Sequence, residues 1–397
     1  VSRCAEDSGP EAVWELHNEE FRDPAEIVSC WQDASRVDPR LLRFRTEGAW
    51  WETLLELRVT LLVSREYEHL LLSLTVDATG SPVIGLMRMP HPSGIAVDRT
   101  SGVVHVASTR NPNQIFDLMP LESLMPRLDV KESTLPERFL VPVRTRFLPG
   151  CFYLHDLAMV DGELHANSVG QNAVVRLRAS GGAELVWWPK CIEGSDGPVF
   201  GQNHLQLNSI AAGDSLDAYF SASTDEMTAL RPGDPDFPVD RRGVIFAGAS
   251  REPIARGLTR PHSARLRDGR LWVDDSGYGA VGIVEDGTFR SVTDLPGWTR
   301  GLAFCDRVMF VGTSRVLPRF SHYAPGLDPE TAQCGLHAID CTSGAVVGSM
   351  FWPYGSQIFS VECVPADFTV GFPFRADGTV SEEQRRVLFY SFQMPDV

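Results

Sequence analysis

One two-strand phrase returns again and again along this chain, and it restricts the possible folds more than any other feature. It reads Ser93-Gly-Ile-Ala-Val-Asp98 followed by Gly102-Val-Val-His-Val-Ala-Ser-Thr109, then His155-Asp-Leu-Ala-Met-Val-Asp161 followed by Gly162-Glu-Leu-His-Ala-Asn-Ser168. Further copies begin at Asn208, His262 and Arg300, and a weaker sixth begins near Phe359. Each copy is a short β-rich run, a tight turn of Asp or Gly, and a second run ending in small or hydroxyl residues, the signature of a hairpin. The anchors recur at roughly 40 to 60 residues, the period of propeller blades. Third strands are expected at 173–178, 280–285 and 335–340.

Six anchors predict an all-β, six-bladed β-propeller over residues 59–397. The run Thr60–Ser73 precedes the first anchor and is expected to complete the last blade, a ring closure that hides sheet edges. Two stacked β-sandwiches are the rival arrangement, but they leave the regular return of the phrase unexplained. Residues 1–58 read as a partly helical N-terminal extension packed on the propeller, because Pro24–Trp31 and Trp50–Leu57 have helical apolar spacing. Trp14, Trp31, Trp50 and Trp51 are expected as core anchors there. The proline-rich stretch 111–140 and the stretch 232–240 read as surface excursions.

A formal charge of −16 over 397 residues, with no basic stripe, argues against nucleic acid and anionic membranes as partners. No apolar run reaches the roughly 18 residues of a membrane span. The first residues lack the apolar stretch of a signal peptide, so a cytoplasmic location is expected. Eight cysteines without a CxxC pair are expected as reduced, mostly buried thiols. The oligomeric state is left open.

The inner strand of each blade runs along the central channel, so the residues at its start converge on the axis at one mouth. Those positions are Ser93, His155, Asn208, His262, Arg300 and approximately Phe359. His204 lies in the approach to Asn208, and His91 just before Ser93. His155, His204 and His262, with His91 as a fourth, are therefore candidate ligands for a transition metal such as Cu, Fe or Zn. Calcium fits less well, since it prefers oxygen ligands. Asp156 is a candidate catalytic residue or an acceptor orienting an imidazole, and it is equally suited to capping a turn. Arg300 is expected to orient a substrate carboxylate or phosphate, or else to bridge blades. Asn208 joins them as a catalytic candidate, and Tyr153, Gln202, Asn203 and Gln206 are expected to line the same mouth. His105 and His165 sit in second strands and suit packing.

No GxSxG, HExxH, GxxxxGK[ST] or strand–helix GxGxxG is present. The expected function is a metal-dependent enzyme acting on a small polar or anionic metabolite of a biosynthetic pathway, with oxidative, hydrolytic and lyase or isomerase chemistry all open. The alternatives are a ligand- or protein-binding propeller and a metal-free acid–base enzyme.

The segments Leu154-His-Asp-Leu-Ala158, Leu207-Asn-Ser-Ile-Ala211, Pro261-His-Ser-Ala-Arg265, Leu295-Pro-Gly-Trp-Thr-Arg-Gly-Leu-Ala-Phe304 and Ile358-Phe-Ser-Val361 resemble, in that order, a family of conserved-hypothetical bacterial proteins. That family has a propeller-like domain of unknown function. The resemblance covers about residues 60–365 and implies the fold without a settled reaction. The family pattern has a histidine two residues before the Asn of its Leu-Asn motif, where this chain has Gln206, so the chain resembles a divergent branch.

Overall fold

The computed structural model describes residues 37–110, 112–124, 138–179, 181–213, 218–376 and 392–393. Six sheets of at least four antiparallel strands follow one another, and each begins with one of the recurring phrases. The inner strands are Pro92–Asp98, Leu154–Val160, Leu207–Ala211, Pro261–Arg267, Trp298–Cys305 and Ser360–Pro365. They open blades one to six. Third strands occupy Ala173–Leu177, Ala280–Glu285 and Gly335–Asp340, where the apolar runs predict them.

Local chemistry explains the hairpins. Asp161-Gly162, Asp268-Gly269 and Asp286-Gly287 all have positive φ at both residues. This is the two-residue turn whose twist matches that of the flanking strands, and Asp-Gly tolerates it at least cost.

The ring closes on the sixth blade. Its inner strand comes from Ser360–Pro365, and Val59–Arg65, Leu70–Val76 and Pro82–Arg88 supply the next three strands. Val59–Arg65 pairs with Ser360–Pro365 continuously from Val59 opposite Pro365 to Ser64 opposite Ser360. Leu61, Val63 and Val361, all fully buried, belong to the apolar cluster around this seam.

Arg45–Gly48 adds a fifth strand to the outer edge of blade five. The helix Trp50–Leu57 follows it directly. Trp50 is fully buried, with its ring edge-on to Phe310 of blade five. Pro24–Trp31, Trp14, Cys4 and Cys30 lie outside the described residues, and the six described cysteines are free thiols.

Within the stretch 111–140, residues 113–120 depart from the expected surface excursion. Asn113–Pro120 is the third strand of blade one and pairs with Leu140–Leu148 along eight residues. Pro112 and Pro120 bracket the strand at its two ends, where a missing N–H is tolerated. No helix among the described residues is long and apolar enough to cross a membrane.

Inner strands are latched to one another by the residue after the anchor. Asp156 accepts from the Ile210 N–H (3.0 Å) of blade three and from Arg265 (2.9 Å) of blade four. The Ser209 hydroxyl accepts from the Ala264 N–H (2.8 Å), and the Ser263 hydroxyl from the Gly301 N–H (2.7 Å). Each latch satisfies a buried N–H that the sheet leaves unpaired.

Candidate functional site

The anchors converge on the axis. The rings of His155 and His262 have centroids 5.0 Å apart, and Phe359 lies 4.6 Å from His155 and 5.6 Å from His262. The Arg300 guanidinium covers the Phe359 ring at 4.8 Å. Residues far apart in the chain thus meet because each opens an inner strand.

A second ring lies two residues earlier, and its members from blades two to five line the mouth. In blades one to four these residues are His91, Tyr153, Gln206 and Arg260, all with φ between 42° and 54°. Such left-handed backbone is unusual for residues other than glycine. In blades one to five the inner strand also slips register against its neighbour just beyond this point, as between Leu154 and Leu157. Bulges of this kind re-aim side chains.

The resulting cavity has a volume of about 320 Å³. Tyr153, Gln206, Arg260 and Trp298 come from the second ring, and His155 and Arg300 from the axis. Glu66, Tyr67 and Arg110 complete the wall. The roof comes from two loops: Gly233, and the short helix Pro318–Tyr323 that carries Arg319, Phe320 and Tyr323.

Electrostatically this mouth is cationic. Arg110 is 3.2 Å from Glu66, the one carboxylate in the lining. Among the described residues Arg260, Arg300 and Arg319 have no carboxylate within ion-pair distance. Arg300 is 5% exposed and its Nε has no hydrogen-bond partner. Arg260 is 6% exposed; among the described residues its guanidinium donates only to the Pro232 carbonyl, and it covers the Tyr323 ring at 4.1 Å. Burial lowers Arg260 to about 10, which leaves it charged at neutral pH.

Burial, reinforced by Arg300, holds both His155 and His262 well below the usual imidazole range, so both rings are neutral at physiological pH. His155 Nδ1 lies 3.2 Å from the Asn208 carbonyl. A carbonyl only accepts, so Nδ1 carries the proton and Nε2 keeps a lone pair. His262 Nδ1 bonds the Ser263 hydroxyl at 2.8 Å, and its Nε2 is buried without a partner. Asp274 sits opposite His262 across the strand pair, and burial raises its carboxyl well above the usual range.

Four of the residues singled out from the sequence line the cavity: Tyr153, His155, Gln206 and Arg300. His262 and Asn208 lie beside it on the axis. Asn208 donates from its side-chain amide to the Pro261 carbonyl (2.9 Å), joining blades three and four. Asp156 is occupied as an inter-blade latch and is not in the lining. His204, Gln202 and Asn203 are not in the lining either; they belong to the loop before blade three, where Asn172 binds the His204 N–H (2.9 Å) and the Gln202 carbonyl (2.6 Å). His91 is stacked edge-on against His69 and lies 3.9 Å from Glu66. Among the described residues no three His, Cys, Asp or Glu side chains come together as a metal-holding group. Sequence reasoning missed Arg260, Trp298, Tyr67 and the roof. Arg260 and Trp298 had a usable signal, since each sits two residues before an anchor.

Similarity to known proteins agrees with the fold. The family described as Domain of unknown function (DUF4915) matches residues 48–370. No curated protein matches significantly. A chain in the crystal structure of a nidogen/laminin complex superposes with a TM-score of 0.50 at 9% identity, covering 78% of this chain and 99% of that one. A protein of unknown function from Bacteroides caccae gives 0.49 at 11% identity, covering 77% and 99%. A gluconolactonase from Xanthomonas campestris gives 0.40 at 13% identity, covering 67% and 77%. At such identities the likeness concerns the fold alone.

Proposed function

Since the chain belongs to the family described as Domain of unknown function (DUF4915), its chemistry must be read from the mouth, and we propose an enzyme that binds a small anionic metabolite on Arg300 and moves a proton with His155. One observation carries this reading: a buried guanidinium without a carboxylate partner faces the same cavity as a neutral imidazole. An unpaired buried charge is costly, and a bound carboxylate or phosphate offsets that cost with a charge-assisted bond.

His155 Nε2 has the lone pair of a general base. A proton leaving the carbon or hydroxyl beside the bound anionic group passes to Nε2, and its electron pair stays on the substrate. Arg300 stabilises the negative charge that develops there. Proton abstraction of this kind belongs to lyase and isomerase chemistry.

Incubation with a panel of small anionic metabolites, read by mass spectrometry, tests the proposal. His155→Gln should lower consumption roughly 100- to 10,000-fold while anion binding persists. Arg300→Gln should weaken binding roughly 10- to 100-fold. Consumption that survives His155→Gln defeats the catalytic role, and binding that survives Arg300→Gln defeats the anion site.

A second reading keeps a transition metal, favoured by the unpartnered Nε2 of His262 beside His155. Two imidazoles beside a guanidinium are a poor donor set for a dication, because the adjacent charge opposes it. Elemental analysis of untagged protein, with His155→Ala and His262→Ala, separates the two readings.

A further inference from the structure

The mouth carries more positive charge than one anionic group can offset. Its lining holds Arg110, Arg260, Arg300 and Arg319 against the single carboxylate of Glu66, in a chain whose net charge is −16. Glu66 is already engaged, 3.2 Å from Arg110 and accepting from the Thr109 hydroxyl at 2.7 Å. Two of the three remaining guanidiniums, Arg260 and Arg300, are buried.

Aromatic rings occupy the faces of these guanidiniums. Tyr323 lies under Arg260 at 4.1 Å, Trp298 under Arg300 at 4.6 Å, and Phe320 under Arg319 at 4.6 Å. A stacked guanidinium keeps its in-plane N–H edge free, and that edge matches carboxylate and phosphate oxygens. Arg260 spends one N–H on the Pro232 carbonyl at 3.3 Å, and no hydrogen bond engages the Arg300 guanidinium among the described residues. Two separate in-plane donor edges therefore border one cavity of about 320 Å³.

We propose that the ligand of this mouth carries two separate anionic groups on a short carbon skeleton, one held by Arg300 on the axis and the other by Arg260 beneath the roof. Dicarboxylates and phosphorylated carboxylates share this chemistry. The inference rests on the anion-binding reading above and adds the second group, with Arg260 as the residue that selects it. Trp298, Tyr323 and Tyr67 provide apolar walls for the skeleton between the charges.

Calorimetric titration of the full chain at fixed ionic strength tests this, with butyrate as the monoanion, glutarate and adipate as dicarboxylates, and 3-phosphonopropionate as the mixed dianion. At least one dianion should bind tenfold or more tightly than butyrate. Arg260→Gln should remove that advantage, weakening the dianions at least fivefold more than it weakens butyrate. Arg260→Lys, which keeps the charge and loses the fork, should recover only part of it. The dicarboxylate and phosphonate arms identify which anionic group the Arg260 end prefers.

If the dianions bind no tighter than butyrate, or Arg260→Gln weakens both alike, the two-anion inference fails and the Arg300 reading stands. If no probe binds, both fail. Should Arg260→Gln not fold, the ratio of dianion to butyrate affinity in the parent protein still decides.

Discussion

His337 sits in blade five with Nε2 3.1 Å from the Thr313 hydroxyl and Nδ1 2.9 Å from the Ser349 hydroxyl, and burial lowers its pKa to about 3. The unfolded chain takes up this proton near pH 6.5, whereas the folded protein does so only near pH 3. The neutral ring therefore contributes stability that is fully present above pH 6.5 and is lost as pH falls toward 3. His155 and His262 act in the same direction. Urea unfolding between pH 7 and pH 4 should show falling stability, with roughly 3 kcal/mol at pH 4 traceable to His337. His337→Gln should flatten that slope; an unchanged slope refutes the assignment. At this scale the sequence identified Arg300 and His155 as converging residues, because both stand in the repeat. It assigned His337 no role, since nothing in its neighbourhood shows that two hydroxyls from adjacent strands close around the ring.

At the scale of elements, the turns and strands were largely legible. Asp-Gly at a hairpin is a local instruction, and a two-residue side-chain alternation marks a strand wherever it lies. The latches were not legible. Asp156 reads from sequence as a catalytic candidate beside His155, yet it spans blades two, three and four through Ile210 and Arg265. Asp156→Asn should leave the half-buried Arg265 guanidinium without its counter-ion and the Ile210 N–H with a weaker acceptor, at a cost of roughly 1 to 3 kcal/mol. Anion binding at the mouth should survive in the folded fraction. Calorimetric melting together with titration measures both, and lost binding with unchanged stability assigns Asp156 to the site instead.

For the whole molecule, closure matters most. The strand Ser360–Pro365 comes from the far end of the chain and seals the sheet begun by Val59–Arg65. Ending the chain at Phe359 should expose the Val59–Arg65 edge, and size-exclusion chromatography should show association in place of a monodisperse species. A truncated chain that elutes and melts like the parent refutes closure as the stabilising device. The sequence alone determined the β class, the six-blade count and the closing segment. Each follows from short-range turn chemistry and periodicity, which a repeat states six times over. The mouth was decided by the tertiary structure. Left-handed residues and bulges at the strand starts turn Tyr153, Gln206 and Arg260 toward the cavity. Gly233 and the helix bearing Arg319, Phe320 and Tyr323 reach it from two non-repeating loops. A loop's destination depends on what it packs against, and its partners here lie in other blades, beyond the reach of any local pattern.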